Sequence, residues 1–338
     1  MQVSERGSFT ISTTGSPEYG GPDRFHVWTY TSSEQVVADV SQDTDVPSGL
    51  GFSNSYKFDV TTAESAVASG EALLIGQYIE AQNLQHLEYG TSSAKNLTLS
   101  FHIKSTKTGT YCLSVTAPDG SRNIIKEYTV SASNTWEKKT ILIPGDTSGT
   151  INNDTGQGLW LQWVLMAGTD RHKAADSWSG TTSDIATSNQ VNALDSTSNN
   201  IYLTGVQLEV GDTATDFEHR TFADELARCQ RYYYRKTGDP DGNYASAATA
   251  YATTAIQLSA PHPVRMRANP SISVSGNIRA IDGQTSHISS GANIANVSKI
   301  NTMSWYINNS AMSGLTQYRF YIVNGETSAN YMEVDAEL

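Results

Sequence analysis

Residues 96–104 read Asn96-Leu97-Thr98-Leu99-Ser100-Phe101-His102-Ile103-Lys104. In an extended chain Leu97, Leu99, Phe101 and Ile103 fall on one side and Thr98, Ser100, His102 and Lys104 on the other, the period-two pattern of a strand with one apolar and one wet face. Similar runs lie upstream at 23–31, 55–62 and 72–80, and downstream at 110–117, 124–131, 137–144, 158–168 and 199–211. Turn clusters such as Ala117-Pro118-Asp119-Gly120 and Pro144-Gly145-Asp146 separate them with residues that suit tight reversals. Many short strands with almost no helical period bury their apolar faces by packing two antiparallel sheets face to face. The expected fold is therefore all-β, a jelly-roll-like antiparallel β-sandwich. Its one oversized connection, 169–198, carries Trp178 and is long enough to need its own packing or a function.

The period changes once. Over 220–235, Phe222, Leu226, Cys229 and Tyr233 recur at helical spacing, with Thr221 and Asp224 suited to the first turn and Lys236-Thr237-Gly238-Asp239-Pro240 to the end. Alternation returns at 254–261, 270–275, 302–309, 317–324 and 331–337, and Tyr318, Phe320 and Ile322 share a face, while 276–298 is weakly patterned. The expected organisation is a sandwich over 1–219, a short linking α-helix over 220–238 and a smaller C-terminal β domain over 239–338. So small a β domain with few patterned segments makes a marginal core, and oligomer contacts are expected there.

The chain has 338 residues and a net charge of −12, which argues against nucleic acid, whose phosphates demand a basic patch. Anionic membrane surfaces are disfavoured likewise, no stretch reaches the length of a membrane span, and Met1-Gln2-Val3-Ser4-Glu5-Arg6 does not open a signal peptide. The expectation is synthesis in a cytoplasm without membrane insertion. Tyr 17, Phe 8 and Trp 6, spread along the chain, exclude a disordered reading. Cys112 and Cys229 have no disulfide or zinc-ligand spacing and read as buried, reduced thiols.

No nucleophile elbow, zinc-protease helix or P-loop is present, so no enzymatic role, cofactor or metal is expected. Asp239-Pro240-Asp241-Gly242-Asn243 lacks the spacing and terminal Glu of a calcium loop and reads as an interdomain turn. His26 shares a strand face with Trp28 and Tyr30, His102 lies on the polar side of its strand, and neither has a partner at metal-ligand spacing. Carboxylate pairs of a glycosidase need no local motif, and 34 acidic residues make chance pairs certain, so their presence decides nothing. What stands out is aromatic and amide chemistry on a weakly charged β scaffold. Sugars offer C–H faces that stack on aromatic rings and hydroxyls that suit amides and carboxylates. Trp28 and Tyr30, opposite Phe25 and Val27, are candidate glycan contacts, with Tyr78 near a strand end and Trp178 in the long loop. Taken singly, each is better explained by filling the sandwich core than by meeting a sugar. Trp160 and Trp163 fall on opposite faces, so one is expected in the core and the other outside.

The stretch from Leu194 through Ile201-Tyr202-Leu203-Thr204-Gly205-Val206-Gln207-Leu208-Glu209-Val210-Gly211, followed by Asp216-Phe217-Glu218-His219-Arg220 and Glu225-Leu226-Ala227-Arg228-Cys229-Gln230-Arg231-Tyr232-Tyr233, resembles fibre-type proteins of tailed bacteriophages. The preceding region resembles the carbohydrate-binding-module-like sandwich of such proteins, and Pro261-His262-Pro263-Val264-Arg265-Met266-Arg267-Ala268-Asn269-Pro270 resembles the opening of their C-terminal β domain. The resemblance implies a virion protein, commonly a homotrimer among other virion proteins, that recognises bacterial surface polysaccharide. The start departs from the usual fibre layout, entering its sandwich without a shaft, so head-fibre, capsid-decoration and tail-spacer roles without ligand stay open beside the tail fibre. A polysaccharide depolymerase is the third reading, against which no parallel β-helix repeat is visible. On this view the Phe222/Leu226/Cys229/Tyr233 stripe is the expected seam between copies, the alternative being a helix that caps its own sandwich.

Overall fold

A computed structural model of the chain describes residues 1–11, 15–30, 36–237, 243–283, 285–289, 301–309 and 311–338, with the backbone course alone at 243–247 and 305–309. It divides into two compact units, Met1–Thr221 with Leu338, and Phe222–Glu337.

The first unit is a sandwich. Its strands are β1 (Phe9–Thr10), β2 (Glu18–Tyr19), β3 (His26–Tyr30), β4 (Val37–Asp43), β5 (Ser55–Thr62), β6 (Ala72–Glu80), β7 (Leu97–Ser105), β8 (Gly109–Ala117), β9 (Arg122–Val130), β10 (Glu137–Ile143), β11 (Gln157–Ala167) and β12 (Asn200–Val210). They form two six-stranded sheets, ordered β1-β4-β5-β12-β7-β10 and β2-β3-β6-β11-β8-β9, with every pairing antiparallel. The pairs β2–β3, β4–β5 and β8–β9 stay within a sheet, and the remaining connections cross between sheets.

The deciding strand, β7, lies between β12 and β10, with Leu99 opposite Ile141 on one side and Leu208 on the other. Leu97, Leu99, Phe101 and Ile103 are all buried, together with Phe58 and Leu203 of their own sheet and Val27, Ile75, Leu113 and Trp163 of the facing one. The Phe101 ring meets Trp163 edge-on at 5.7 Å and Tyr128 at 5.3 Å, so its removal would cost about 3–5 kcal/mol. Trp163 points into this core and Trp160 to the outside of the sheet, as their parity requires. The long connection is packed by its own side chains. Ile185, Ala186, Ala193 and Leu194 are buried, and the Gln190 side chain accepts the Cys112 N–H (2.7 Å) and donates to the Val164 carbonyl (3.1 Å).

The second unit opens with α1 (Phe222–Gln230), followed by β13 (Tyr233–Thr237), β14 (Asn243–Ala252), β15 (Ala255–Pro261), β16 (Ser271–Ser275), β17 (Ile278–Ile281), β18 (Ser286–Ile288), β19 (Ser304–Asn309), β20 (Phe320–Gly325) and β21 (Tyr331–Asp335). They form a three-stranded sheet, β13-β21-β16, and a six-stranded one, β18-β17-β20-β14-β15-β19. The expected helix is cut short. It stops at Gln230, and Tyr233 starts a strand opposite Asp335, so Tyr233 is not on the helical stripe with Phe222, Leu226 and Cys229. Tyr233 and Tyr234 would each lose side-chain freedom against a preceding helical turn, and in the sheet Tyr234 lies opposite Val334 in the second core. The turn expected at Asp239-Pro240-Asp241-Gly242 lies outside the described residues.

The strand β14 escaped the pattern because its Ala-rich sequence carries no large apolar alternation. On β20, Tyr321 and Val323 enter the core with Ile256, Leu258, Met332 and Val334, while Phe320 and Ile322 point outward. No helix among the described residues is long and apolar enough to cross a membrane.

Candidate functional site

The polar side of β7 does not face open water. Thr98, Ser100, His102 and Lys104 are all buried, because two chain segments fold over the outer face of the first sheet. One covers it with residues 49–52, and the other, 211–219, belongs to the stretch that resembles phage fibres. Between Thr204 and Gln207 the register of β12 against β7 shifts, at Gly205 with φ +60°. A side chain at Gly205 would place its Cβ 2.6 Å from Phe52 and 3.0 Å from His102 Nδ1, so the missing side chain lets these rings lie against the strand. Beyond the bulge Gln207 and Glu209 grip the returning chain. Glu209 accepts the Thr215 N–H at 3.1 Å and its hydroxyl at 2.5 Å, and Gln207 Oε1 accepts the Glu218 N–H at 2.7 Å.

That return places Phe217 and His219 against Phe52, with ring centroids 5.0 and 5.3 Å away, and Phe52 packs on His102 at 5.4 Å. The rings bound an open cleft of about 400 Å³, completed by Leu50, Ser100, Lys138 and Asp216. Burial, reinforced by the Lys138 charge, holds the His102 imidazole below its usual pKa. A neutral imidazole keeps one donor and one acceptor. The cleft thus combines apolar ring surface with a carboxylate, an ammonium, a hydroxyl and an imidazole.

Further along the same face, the buried Lys104 ammonium pairs with Asp45 and lies 4.2 Å from the Tyr202 ring centre and 5.7 Å from that of Trp136. Trp136 Nε1 donates to the other Asp45 oxygen at 2.9 Å. Burial raises the Asp45 pKa, but the Lys104 and Trp136 hydrogen bonds and the lysine charge outweigh it and hold the carboxyl below its ordinary value. A carboxylate kept ionised in this way is a poor proton donor at neutral pH.

The outer face of the second sheet holds the other aromatic cluster. Trp28, Tyr30 and Tyr78 come together there with His26, Trp160 and Tyr19. Gly76 makes room for them, since a Cβ there would sit 2.3 Å from His26 Nε2 and 2.5 Å from Trp160 Nε1. Tyr78 is only 3% exposed, with His26 stacked on it at 4.4 Å, whereas Trp28 and Tyr30 are half-buried and the Arg171 guanidinium lies over Tyr30 at 4.5 Å. Trp178 is not part of this group. Its Nε1 donates to the Pro144 carbonyl at 2.7 Å and its ring meets Tyr89 edge to face, which ties the long loop to the end of β10.

Sequence reasoning passed over Phe52, Trp136, Tyr202, Phe217 and His219. The available signal was the parity of Ser100, His102 and Lys104, together with the presence of Phe217 and His219 in the fibre-like stretch. Among the described residues no His, Cys, Asp and Glu are grouped to hold a metal ion.

No protein-family model matches the chain, and no curated protein sequence does. Among solved structures it is similar to the enzymatically active domain of tailspike protein 4 of bacteriophage CBA120, with 14% identity and a TM-score of 0.31 over 55% of this chain and 19% of that one. It therefore spans about a fifth of the tailspike domain's length. It is also similar to the C-terminal family 22 carbohydrate-binding module of Clostridium thermocellum Xyn10B, with 12% identity and a TM-score of 0.29 over 56% of this chain and 88% of that one. A third likeness is to a family 11 carbohydrate-binding module of Clostridium thermocellum, described with a mixed-linked tetrasaccharide, with 13% identity and a TM-score of 0.28 over 60% and 95% of the two chains. These likenesses are of β-sandwich fold alone.

Proposed function

We propose that the protein is a non-enzymatic, glycan-recognising component of a tailed-phage particle, a fibre that holds bacterial surface polysaccharide through the outer face of its first sheet. The observation that carries this reading is the 400 Å³ cleft beside Phe52, Phe217 and His219. It is within the usual size range of small-ligand sites, and it sets ring surface beside a few polar groups, the combination a pyranose presents in reverse. The fibre-like stretch supports the same reading from a second direction, because its Gly205, Phe217 and His219 line the cleft and its Gln207 and Glu209 hold the returning chain in place.

The test is calorimetric titration of the protein with envelope polysaccharide fragments from a panel of bacterial hosts, repeated with Phe52→Ala and Phe217→Ala. Stacking on two rings predicts at least a tenfold loss of affinity in each variant. Wild-type binding that survives both substitutions would place the ligand elsewhere, and no binding across the panel would remove recognition altogether. Reducing sugar released by wild type would overturn the non-enzymatic part. Antibody labelling of particles decides between a tail projection and a ligand-free capsid or spacer role.

A further inference from the structure

On β20 the chain places Phe320 and Ile322 outside the six-stranded sheet of the second unit, 72% and 45% exposed. Ile322 lies opposite Ile281 of β17, and Ile288 of β18 lies opposite Arg279 on that same face at 43% exposure. On the other side Phe320 lies opposite Thr249 of β14, and Tyr251 beyond it is 37% exposed. Tyr318, whose N–H bonds to the Ala250 carbonyl, is 75% exposed at φ +64°. A bulky aromatic in left-handed backbone costs about 1–2 kcal/mol.

We propose that this face of β18, β17, β20 and β14 is where a second copy of the chain packs. Area decides for a protein partner of ordinary size. At about 200 Å² for a large side chain in full exposure, the five residues present roughly 550 Å² of apolar surface. A standard interface covers ~800 Å² per partner, of which about 65% is apolar between identical subunits, close to the same figure. Branched aliphatic Ile281, Ile288 and Ile322 offer no ring face to a sugar, but two such sheets can interdigitate in sandwich fashion. A row of the same residues that meets its own copies at a symmetry axis needs no second kind of surface. The helix expected to form the seam offers less, since Cys229 is buried, Leu226 is half-buried and Phe222 alone is largely exposed.

The experiment is sedimentation velocity on the full chain across a concentration series, comparing wild type with Phe320→Asp/Ile322→Asp, with Tyr251→Glu/Ile288→Lys, and with Leu226→Asp. The expected result is a wild type heavier than 36.6 kDa, both sheet-face variants about thirtyfold or more weaker in association, and Leu226→Asp unchanged. All the sheet-face substitutions are at exposed positions, and a near-ultraviolet spectrum matching wild type identifies which of the two variants is folded and decides. A wild type that stays at 36.6 kDa when concentrated, or folded variants that assemble as wild type does, overturns the proposal. Dissociation by Leu226→Asp alone would move the interface to the helix. Single-site affinity at the Phe52 cleft should be the same in the dissociated variants, so loss of assembly and loss of glycan recognition are read separately.

Discussion

Lowering the pH should unfold the sandwich through His26. The ring is fully buried among Tyr19, Tyr78 and Trp160, and neither ring nitrogen has a hydrogen-bond partner among the described residues. Burial first, and the Arg24 charge second, drop its pKa from 6.5 to about 3. The folded state therefore holds a neutral imidazole where the unfolded chain binds a proton. Stability from this group is complete above the unfolded pKa near 6.5 and is lost as the pH falls from there towards 3. Each pH unit within that window removes about 1.4 kcal/mol, so at pH 4.5 the loss reaches about 2.7 kcal/mol, a large part of a typical folding free energy. The perturbation is His26→Leu, similar in bulk and unable to titrate. Urea unfolding followed by tryptophan fluorescence at several pH values from 7.5 to 4.5 gives both stability curves. The variant starts lower at pH 7.5 because it leaves part of the ring contacts unmade, but its curve should be flatter by close to one proton's slope. His102 and His262, whose pKa values are also depressed, titrate in both proteins and cancel in the comparison. Parallel curves down to pH 4.5 would mean that water or a polar partner reaches His26, and would refute the argument.

Three further outcomes follow from single contacts. Gly205→Ala should destabilise by about 1–2 kcal/mol through its left-handed backbone and push Phe52 off the strand; urea melts give the first and glycan titration the second, which should fall with it. Asp45→Asn leaves the Lys104 ammonium buried without its anion and should cost about 1–3 kcal/mol, measurable as a drop in urea midpoint, whereas simultaneous Lys104→Met should recover part of it. Trp178→Phe keeps the ring against Tyr89 but loses the hydrogen bond to Pro144, so it should cost about 1 kcal/mol and speed proteolysis within 169–198, with cleavage sites read by mass spectrometry.

Where period-two alternation was strong, the strand was legible almost to the residue. β5 and β6 begin and end where the pattern does, because Tyr56, Phe58 and Val60, or Leu73 and Ile75, repeat large apolar side chains on one face. β14 was silent for the opposite reason, as Ala248 and Ala250 fill their share of the core without volume enough to register as a pattern. The helix was overextended because Tyr233 fits both a spacing of four from Cys229 and the first position of a strand. Only the partner strand Tyr331–Asp335, about a hundred residues on, selects between them.

Parity carries one bit for each residue, the side of the sheet it takes, and no information about what lies beyond that side. It correctly separated Trp160 from Trp163 and Phe101 from His102, yet it assigned the His102 side to water. The covering is done by Phe52 and Phe217, which reach the strand only because Gly205 has no side chain and because Glu209 and Gln207 turn the chain back. The same limit applies to Tyr318, Phe320 and Ile322, whose shared face was legible as apolar and is turned away from the core by the opposite parity of Tyr321 and Val323. An apolar row that the fold leaves outside is evidence about assembly, whereas a polar row that the fold covers is evidence about a site. Both become visible only when parity is combined with the identity of what packs on it.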